Sequence, residues 1–139
     1  MSFLLDTNVL SELRRGRRCD PRVRSWAASV PQREMHTSVV VLGELKRGIE
    51  RVRPKDARFA AELERWLTRV ISFMGTRILP VDQVVALTWG RIGAPRTVPP
   101  IDGLLAATAI VHGFTVVTRN VKDVADLGAS HLNPFEPIH

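Results

Sequence analysis

Residues 3–13 read FLLDTNVLSEL, and this stretch indicates both the fold class and a first functional residue. The run from Phe3 to Leu5 is apolar without alternation, which is typical of a strand buried on both faces of a parallel sheet. The run ends directly on Asp6. Functional sites of open α/β sheets lie at the carboxyl ends of the strands, so the sequence predicts that Asp6 lies at such a site.

The rest of the chain alternates further strand and helix patterns. Short strands are predicted at 36–38, 78–81 and 115–118, and the clearest amphipathic helix spans 59–74. This alternation favours a parallel sheet with helices on both faces. We therefore predict an α/β fold of three layers, α/β/α, around a central parallel sheet of four or five strands. No repeat or linker interrupts the pattern, so residues 1–139 are predicted to form a single domain.

Two stretches have a less definite pattern. Residues 39–41 read VVV and either extend the strand at 36–38 or begin the helix that follows it. From Asn120 onward, the sequence predicts a short turn or helix and then a tail broken by prolines.

The charge balance points to a polyanionic partner. Twenty Lys and Arg residues stand against fourteen Asp and Glu residues, which gives a net charge of +6. Arginine dominates the basic residues, and its planar guanidinium suits phosphate recognition. The alternative is a basic face that serves only solubility. The densest positive cluster is the basic loop, which we define as Arg14, Arg15, Arg17 and Arg18.

Several classes of protein are excluded or disfavoured. No window reaches the ~18 apolar residues that a membrane span needs, and the start of the chain lacks the pattern of a signal peptide. The single cysteine, Cys19, excludes an internal disulfide and fits a cytoplasmic protein. Cys19 and the four histidines show no zinc-ligand spacing. The histidines are His36, His112, His131 and His139.

Motifs of other enzyme classes are missing from the sequence. Residues 43–48 begin and end in glycine, but Ile49 and Glu50 follow where a Walker A motif needs Lys and Ser or Thr. No strand is followed by G-x-G-x-x-G, which disfavours dinucleotide binding. No G-x-S-x-G is present, which disfavours a serine hydrolase of that type.

Four acidic residues stand close to predicted strand ends or at the start of helices: Asp6, Glu44, Asp102 and Asp123. Each has an ordinary structural explanation. Asp6 and Asp102 suit helix caps, and Asp123 suits a turn. Glu44 suits an ion pair with Arg47 three residues on.

Together the four acids favour a metal-dependent enzyme. Carboxylates that converge in one cleft repel each other unless a cation compensates them, and Mg²⁺ or Mn²⁺ prefers such oxygen ligands. An acidic metal site within a basic protein suits hydrolysis of a phosphodiester. A phosphatase with Asp6 as nucleophile is an alternative, which is weakened because Asn8 stands where such enzymes usually have a second aspartate.

Four ordered motifs carry a resemblance that covers nearly the whole chain. They are LLDTNVLSEL (4–13), SVVVLGEL (38–45), PPIDGLLAATAIVHG (99–113) and TVVTRNVKDV (115–124). This combination resembles PIN-domain ribonucleases, and more narrowly the VapC-type toxins of bacterial type II toxin–antitoxin systems. The resemblance implies a PIN-like fold.

The resemblance also implies the site. Asp6, Glu44 and Asp102 match three acidic ligands of one or two divalent ions, Mg²⁺ or Mn²⁺. The fourth ligand is assigned to Asp123, because Asn120 stands where some relatives carry an acid. The residues expected to support these ligands are Thr7, Asn8, Thr118 and Asn120.

The activity implied by the resemblance is hydrolysis of RNA by a metal-bound water. The implied partners are RNA, a small antitoxin and a second copy of the chain in a homodimer. The helix at 59–74 and the basic loop are candidates for contact with RNA or a partner. Two alternatives stay open: a non-catalytic PIN-fold RNA-binding module, favoured by Asn120, and another Asp-dependent phosphohydrolase.

Overall fold

The structure is a computed structural model that describes residues 1–137, so His139 lies outside the described residues. Five parallel strands form one sheet in the order β3-β2-β1-β4-β5. The strands are β1 (Phe3–Leu5), β2 (Met35–Ser38), β3 (Ile78–Leu79), β4 (Thr115–Val117) and β5 (His131–Leu132). The predicted α/β fold with a parallel sheet of four or five strands is confirmed.

Seven α-helices connect the strands of the described chain. They are α1 (Thr7–Arg14), α2 (Pro21–Ser29), α3 (Val39–Val52), α4 (Ala57–Met74), α5 (Gln83–Gly93), α6 (Pro100–His112) and α7 (Val121–Asp126). Because crossovers between parallel strands are right-handed, the helices of the first two connections and those of the last two cover opposite faces of the sheet. No helix within residues 1–137 is long and apolar enough to cross a membrane.

Strand β1 is the centre of the fold. It pairs with β2 on one side and with β4 on the other. Leu4 and Leu5 are at most 1% exposed, as are Val116 and Val117 of β4. The unalternating apolar run therefore belongs to a strand that is buried on both faces, as the sequence predicted.

The structure shows which elements are formed by the two stretches whose sequence pattern was less definite. Residues 39–41 begin α3, because the Ser38 side chain accepts a hydrogen bond from the backbone N–H of Val40 at 3.2 Å and caps the helix. The strand predicted at 78–81 is shorter and ends at Leu79, before Pro80. The tail contains β5, which the sequence did not predict.

The strand order creates a crevice between β1 and β4. The chain moves from β1 to β2 and β3 in one direction and returns past β1 to β4 and β5. Such a reversal is a topological switch point, where loops leave the two central strands in opposite directions. Asp6 follows β1 and Thr118 follows β4, so both lie at this crevice.

Candidate active site

Asp6 is buried at the switch point and held by three hydrogen bonds. Its side chain is 5% exposed and caps α1 by accepting from the Thr7 backbone N–H at 2.7 Å. Its second oxygen accepts from the Thr118 hydroxyl at 2.8 Å and from the Asn8 amide at 3.3 Å. Burial raises the pKa of Asp6, and the hydrogen bonds act against this rise. Asp6 therefore both caps α1, as its sequence position allowed, and lines the cleft.

The polar residues next to Asp6 join the end of β1 to the end of β4. The Asn8 side-chain oxygen accepts from the backbone N–H of Arg119 at 3.1 Å. The Thr118 hydroxyl accepts from the backbone N–H of Asn120 at 3.0 Å. Asn8, Thr118 and Asn120, three of the four predicted supporting residues, thus surround Asp6 in one network.

Glu44 reaches the same crevice from the second turn of α3. The Thr7 hydroxyl donates to its carboxylate at 2.5 Å, across 37 residues of sequence. Thr7 therefore links two predicted ligands, since its backbone N–H also binds Asp6. The ion pair between Glu44 and Arg47 that the sequence suggested is wrong, because it is not among the ion pairs within residues 1–137.

Asp102 lies in the first turn of α6, where it does not act as the helix cap. Pro99 occupies the N-cap position without a side-chain hydrogen bond. Burial and, after it, the negative charges of Asp6, Asp123 and Glu44 together raise the pKa of Asp102 to about 6. Three of the four predicted acids, Asp6, Glu44 and Asp102, line one cleft.

Asp123 approaches from the first turn of α7. Its carboxylate raises the pKa of Asp102 through its negative charge and as a hydrogen-bond partner of the protonated acid. Of the two residues considered for the fourth ligand position, Asn120 lines the cleft, whereas Asp123 lies outside that lining. We name Asp6, Glu44, Asp102 and Asp123 the acid cluster.

The acid cluster borders an open cleft with a volume of ≈ 480 Å³. Its lining includes residues that the sequence did not indicate as site residues, namely Arg47 and the pair Pro99–Pro100. Arg47 follows Glu44 by one helical turn, and the prolines directly precede the Ile101–Asp102 pair. These spacings are the signals that could have identified them.

The donor chemistry of the acid cluster fits a hard divalent cation. Carboxylate oxygens are the ligands that Mg²⁺ and Mn²⁺ prefer. Within residues 1–137, no group of three or more His, Cys, Asp or Glu side chains is close enough together to hold a metal ion as the side chains stand. The convergence of negative charge that raises the pKa of Asp102 is nevertheless the repulsion that such a cation relieves.

The basic loop lies away from the cleft. All four of its arginines are exposed, at the far end of α1 and in the 3₁₀ turn at 16–18. An eight-residue helix is about 12 Å long, which separates the loop from Asp6. Arg15 forms an ion pair with Glu12 at 3.3 Å, and the Arg14 guanidinium lies 5.6 Å from the centre of the Phe59 ring.

Comparison with known proteins identifies the family. The PIN domain family matches residues 3–127. The chain belongs to the PIN-domain family. VapC ribonuclease Y4jK of Sinorhizobium fredii is 30% identical to this PIN domain over 97% of the chain and 99% of the relative. Toxin FitB of Neisseria gonorrhoeae is 30% identical over 99% of each protein.

A solved structure agrees in fold as well as in sequence. The crystal structure of FitAcB from Neisseria gonorrhoeae matches this PIN domain with a TM-score of 0.88 and 28% identity. The match covers 97% of this chain and 99% of the other. The resemblance to VapC-type PIN domains is therefore confirmed along nearly the full length, and the chain is a PIN domain of the VapC/FitB type.

Proposed function

We propose that this PIN domain is a metal-dependent endoribonuclease that acts as the toxin of a toxin–antitoxin pair. The observation that carries the proposal is that Asp6, Glu44 and Asp102 line one cleft at the switch point, with Asp123 near enough for its charge to raise the pKa of Asp102. Four like charges at one site are unfavourable for stability alone, so their convergence favours a role in binding a cation. Membership of the VapC/FitB type supports RNA as the substrate.

In this proposal, Asp6, Glu44, Asp102 and Asp123 hold Mg²⁺ or Mn²⁺. When bound, the metal lowers the pKa of a water and stabilises negative charge that develops on the scissile phosphate. The Thr7 hydroxyl donates to the Glu44 carboxylate, and the Thr7 backbone N–H donates to the Asp6 carboxylate, so Thr7 orients both ligands.

Support for these ligands comes from the residues around Asp6. Thr118 and Asn8 donate to the same Asp6 oxygen. Such hydrogen bonds orient metal ligands and tune their affinity. We assign Asn120 to the same supporting group, because its N–H holds Thr118 in place.

We also propose that RNA and a small antitoxin are the partners, and that the protein acts as a homodimer in the cytoplasm. The net charge of +6 supports an RNA partner. A groove along α4 favours an antitoxin as partner. Phe59, Leu63 and Trp66 of α4 line this open groove, which shares Thr7 and Glu44 with the acid cleft. A segment docked in this groove would lie next to the acid cluster.

A non-catalytic RNA-binding module is the second candidate, and Asn120 at a possible ligand position is the observation that favours it. A phosphohydrolase with Asp6 as nucleophile is disfavoured. Asn8 stands where such enzymes usually have a second aspartate, and here its side chain donates to Asp6.

The deciding experiment is cleavage of a labelled single-stranded RNA by the purified protein with Mg²⁺ or Mn²⁺. We expect cleavage that chelation abolishes and that falls by about a hundredfold or more in Asp6→Asn and Asp102→Asn. Asp126→Asn, an exposed position on α7 outside the cleft lining, is the control and should cleave normally.

Three results would contradict or redirect the proposal. Cleavage that persists after chelation, or in both cluster variants, would refute metal-dependent hydrolysis. RNA binding without cleavage would favour the non-catalytic module. A trapped aspartyl-phosphate on Asp6 would favour the phosphohydrolase.

A further inference from the structure

Arg47 is a basic side chain in the lining of an otherwise acidic or uncharged cleft. It lies on α3, one turn after Glu44, and is exposed. Among the described residues that line this cleft, it is the one with a positive charge. The cleft lining places it beside Asp6, Glu44 and Asp102.

The guanidinium of Arg47 has no partner within residues 1–137. It takes part in none of the ion pairs and none of the side-chain hydrogen bonds found there. Glu44, three residues before it, accepts the Thr7 hydroxyl instead. The five N–H donors and the positive charge of this guanidinium therefore border the cleft without a carboxylate or carbonyl partner in the described residues.

The other basic residues of this part of α3 are used differently. Lys46 binds Glu50 at 3.1 Å and Glu64 at 2.5 Å. Arg53, just after the end of α3, binds the same two carboxylates at 2.8 and 2.7 Å. We name Lys46, Glu50, Arg53 and Glu64 the α3–α4 ion-pair network. Lys46 and Arg53 thus bind carboxylates, whereas neither Arg47 nor Arg51 forms an ion pair within residues 1–137. Of these two arginines, Arg47 is the one that lines the cleft.

We propose that Arg47 binds a phosphate of the RNA backbone and positions the strand across the acid cluster. The inference rests on the proposed ribonuclease function. A cleft lined by three carboxylates, with Asp123 nearby, repels a polyanion, and a metal ion offsets this repulsion only at the scissile phosphate. A neighbouring phosphate needs a separate cation. The planar fork of an arginine binds phosphate oxygens with two parallel hydrogen bonds, which also fixes orientation.

This role differs from that of the basic loop. None of its four arginines lines the acid cleft, and Arg14 lines the neighbouring groove along α4. Arginines outside the cleft attract RNA without fixing its register at the acid cluster. Arg47 lines the same cleft as Asp6 and Asp102, so it can set which phosphate lies between the carboxylates.

The test measures RNA affinity as a function of salt. A fluorescently labelled single-stranded RNA is titrated with Asp102→Asn protein in Mg²⁺, so that the RNA stays intact, and Arg47→Ala is added to this background. We expect Kd to rise about tenfold, which is typical of losing charge-assisted hydrogen bonds. The slope of log K against log salt should become shallower by about 0.7, the value for one phosphate contact on a single strand.

Two further variants separate a phosphate contact from general charge. Arg51→Ala removes the same charge one turn further along α3, at an exposed residue outside the cleft lining, and should leave affinity and slope nearly unchanged. Arg47→Lys should keep the salt slope but lose part of the affinity, because lysine keeps the charge without the planar fork.

The contrary results are distinct. Equal effects of Arg47→Ala and Arg51→Ala would overturn the inference in favour of general electrostatics. Unchanged RNA binding with tighter Mn²⁺ binding in calorimetry would assign Arg47 to neutralising the acids, and would also overturn it. Cleavage by the protein with an intact acid cluster is assayed in parallel. Its absence refutes the proposed function, while the binding comparison still decides the role of Arg47.

Discussion

Helix α3 contributes to two charged regions, one with paired opposite charges and one with like charges close together. In the α3–α4 ion-pair network, opposite charges alternate, and the hydrogen bonds of Arg53 and Lys46 lower the pKa of Glu50 to about 2. In the acid cluster, like charges converge, and burial with the neighbouring carboxylates raises the pKa of Asp102 to about 6. The first arrangement is complete within the chain. The second lacks its counter-charge, which indicates that a ligand from outside provides it.

The largest expected effect comes from removing one charge of the acid cluster. We expect Asp102→Asn to abolish metal-dependent cleavage and yet to stabilise the metal-free protein at neutral pH. The raised pKa of Asp102 measures how much the folded protein disfavours its ionised form. A two-unit shift corresponds to about 3 kcal/mol, and screening at this partly exposed carboxyl reduces the expected gain to about 1–2 kcal/mol. Urea unfolding with a chelator measures it.

The sign of the pH dependence sharpens this prediction. A raised folded-state pKa means that the contribution of Asp102 to stability is full below its usual value of 3.8 and is lost as pH rises to about 6. Metal should restore stability above that pH, and Asp102→Asn should remove this part of the profile. If metal-free protein lost no stability between pH 4 and 6, or if the variant were less stable at pH 7, the repulsion in the cluster would be disproved.

The next effect concerns a neutral side chain of the cleft. Thr118→Val removes the hydroxyl that donates to Asp6 and accepts from the Asn120 N–H. We expect Mn²⁺ affinity to fall by about tenfold, because the carboxylate loses its orienting donor. Thr108→Val is the matched control: this threonine is also buried, but its hydroxyl donates only to the Leu104 carbonyl within α6. Calorimetric affinities that fall equally in both variants would exclude a specific role of Thr118.

The smallest effect is expected in the α3–α4 ion-pair network. Glu64→Gln removes a carboxylate that both Lys46 and Arg53 contact, but all three side chains are solvent-accessible. Exposed ion pairs contribute little and are screened by salt. We expect a small decrease in Tm that disappears at high salt, with unchanged cleavage and metal affinity. A loss of cleavage comparable to that of Asp102→Asn would show that the two regions are not independent.

Much of the fold follows from the sequence because local patterns carry it. The apolar run ending in Asp6 predicts both the central strand and the position of the acid. Strand β5 could not be predicted in this way. Its two residues pair with β4 through the backbone, and the Val116 N–H donates to the Ser130 carbonyl just before β5. Backbone pairing of so short a strand leaves no periodicity to detect.

The sequence allowed candidate site residues to be named but not the contacts between them. The four acids and their polar neighbours appear in the sequence as strand-end and helix-start residues. The bond from Thr7 to Glu44 spans 37 residues, so the sequence suggested Arg47 as the partner of Glu44 instead. Charge density selected the basic loop as the RNA-binding candidate, but it does not show which way a side chain points. Arg47, the arginine in the cleft lining within residues 1–137, was therefore not predicted to bind RNA.

The bond between Thr118 and Asp6 joins residues 112 positions apart. During synthesis, a chain extended through α5 carries Asp6 and Glu44 but neither Asp102 nor Thr118. The central strand then has β2 beside it and an unpaired edge where β4 belongs. Contacts of such long sequence separation form last, so a nascent or prematurely terminated chain has no assembled cleft. The order of strands therefore delays the appearance of a complete site until the ribosome has made the chain through α7.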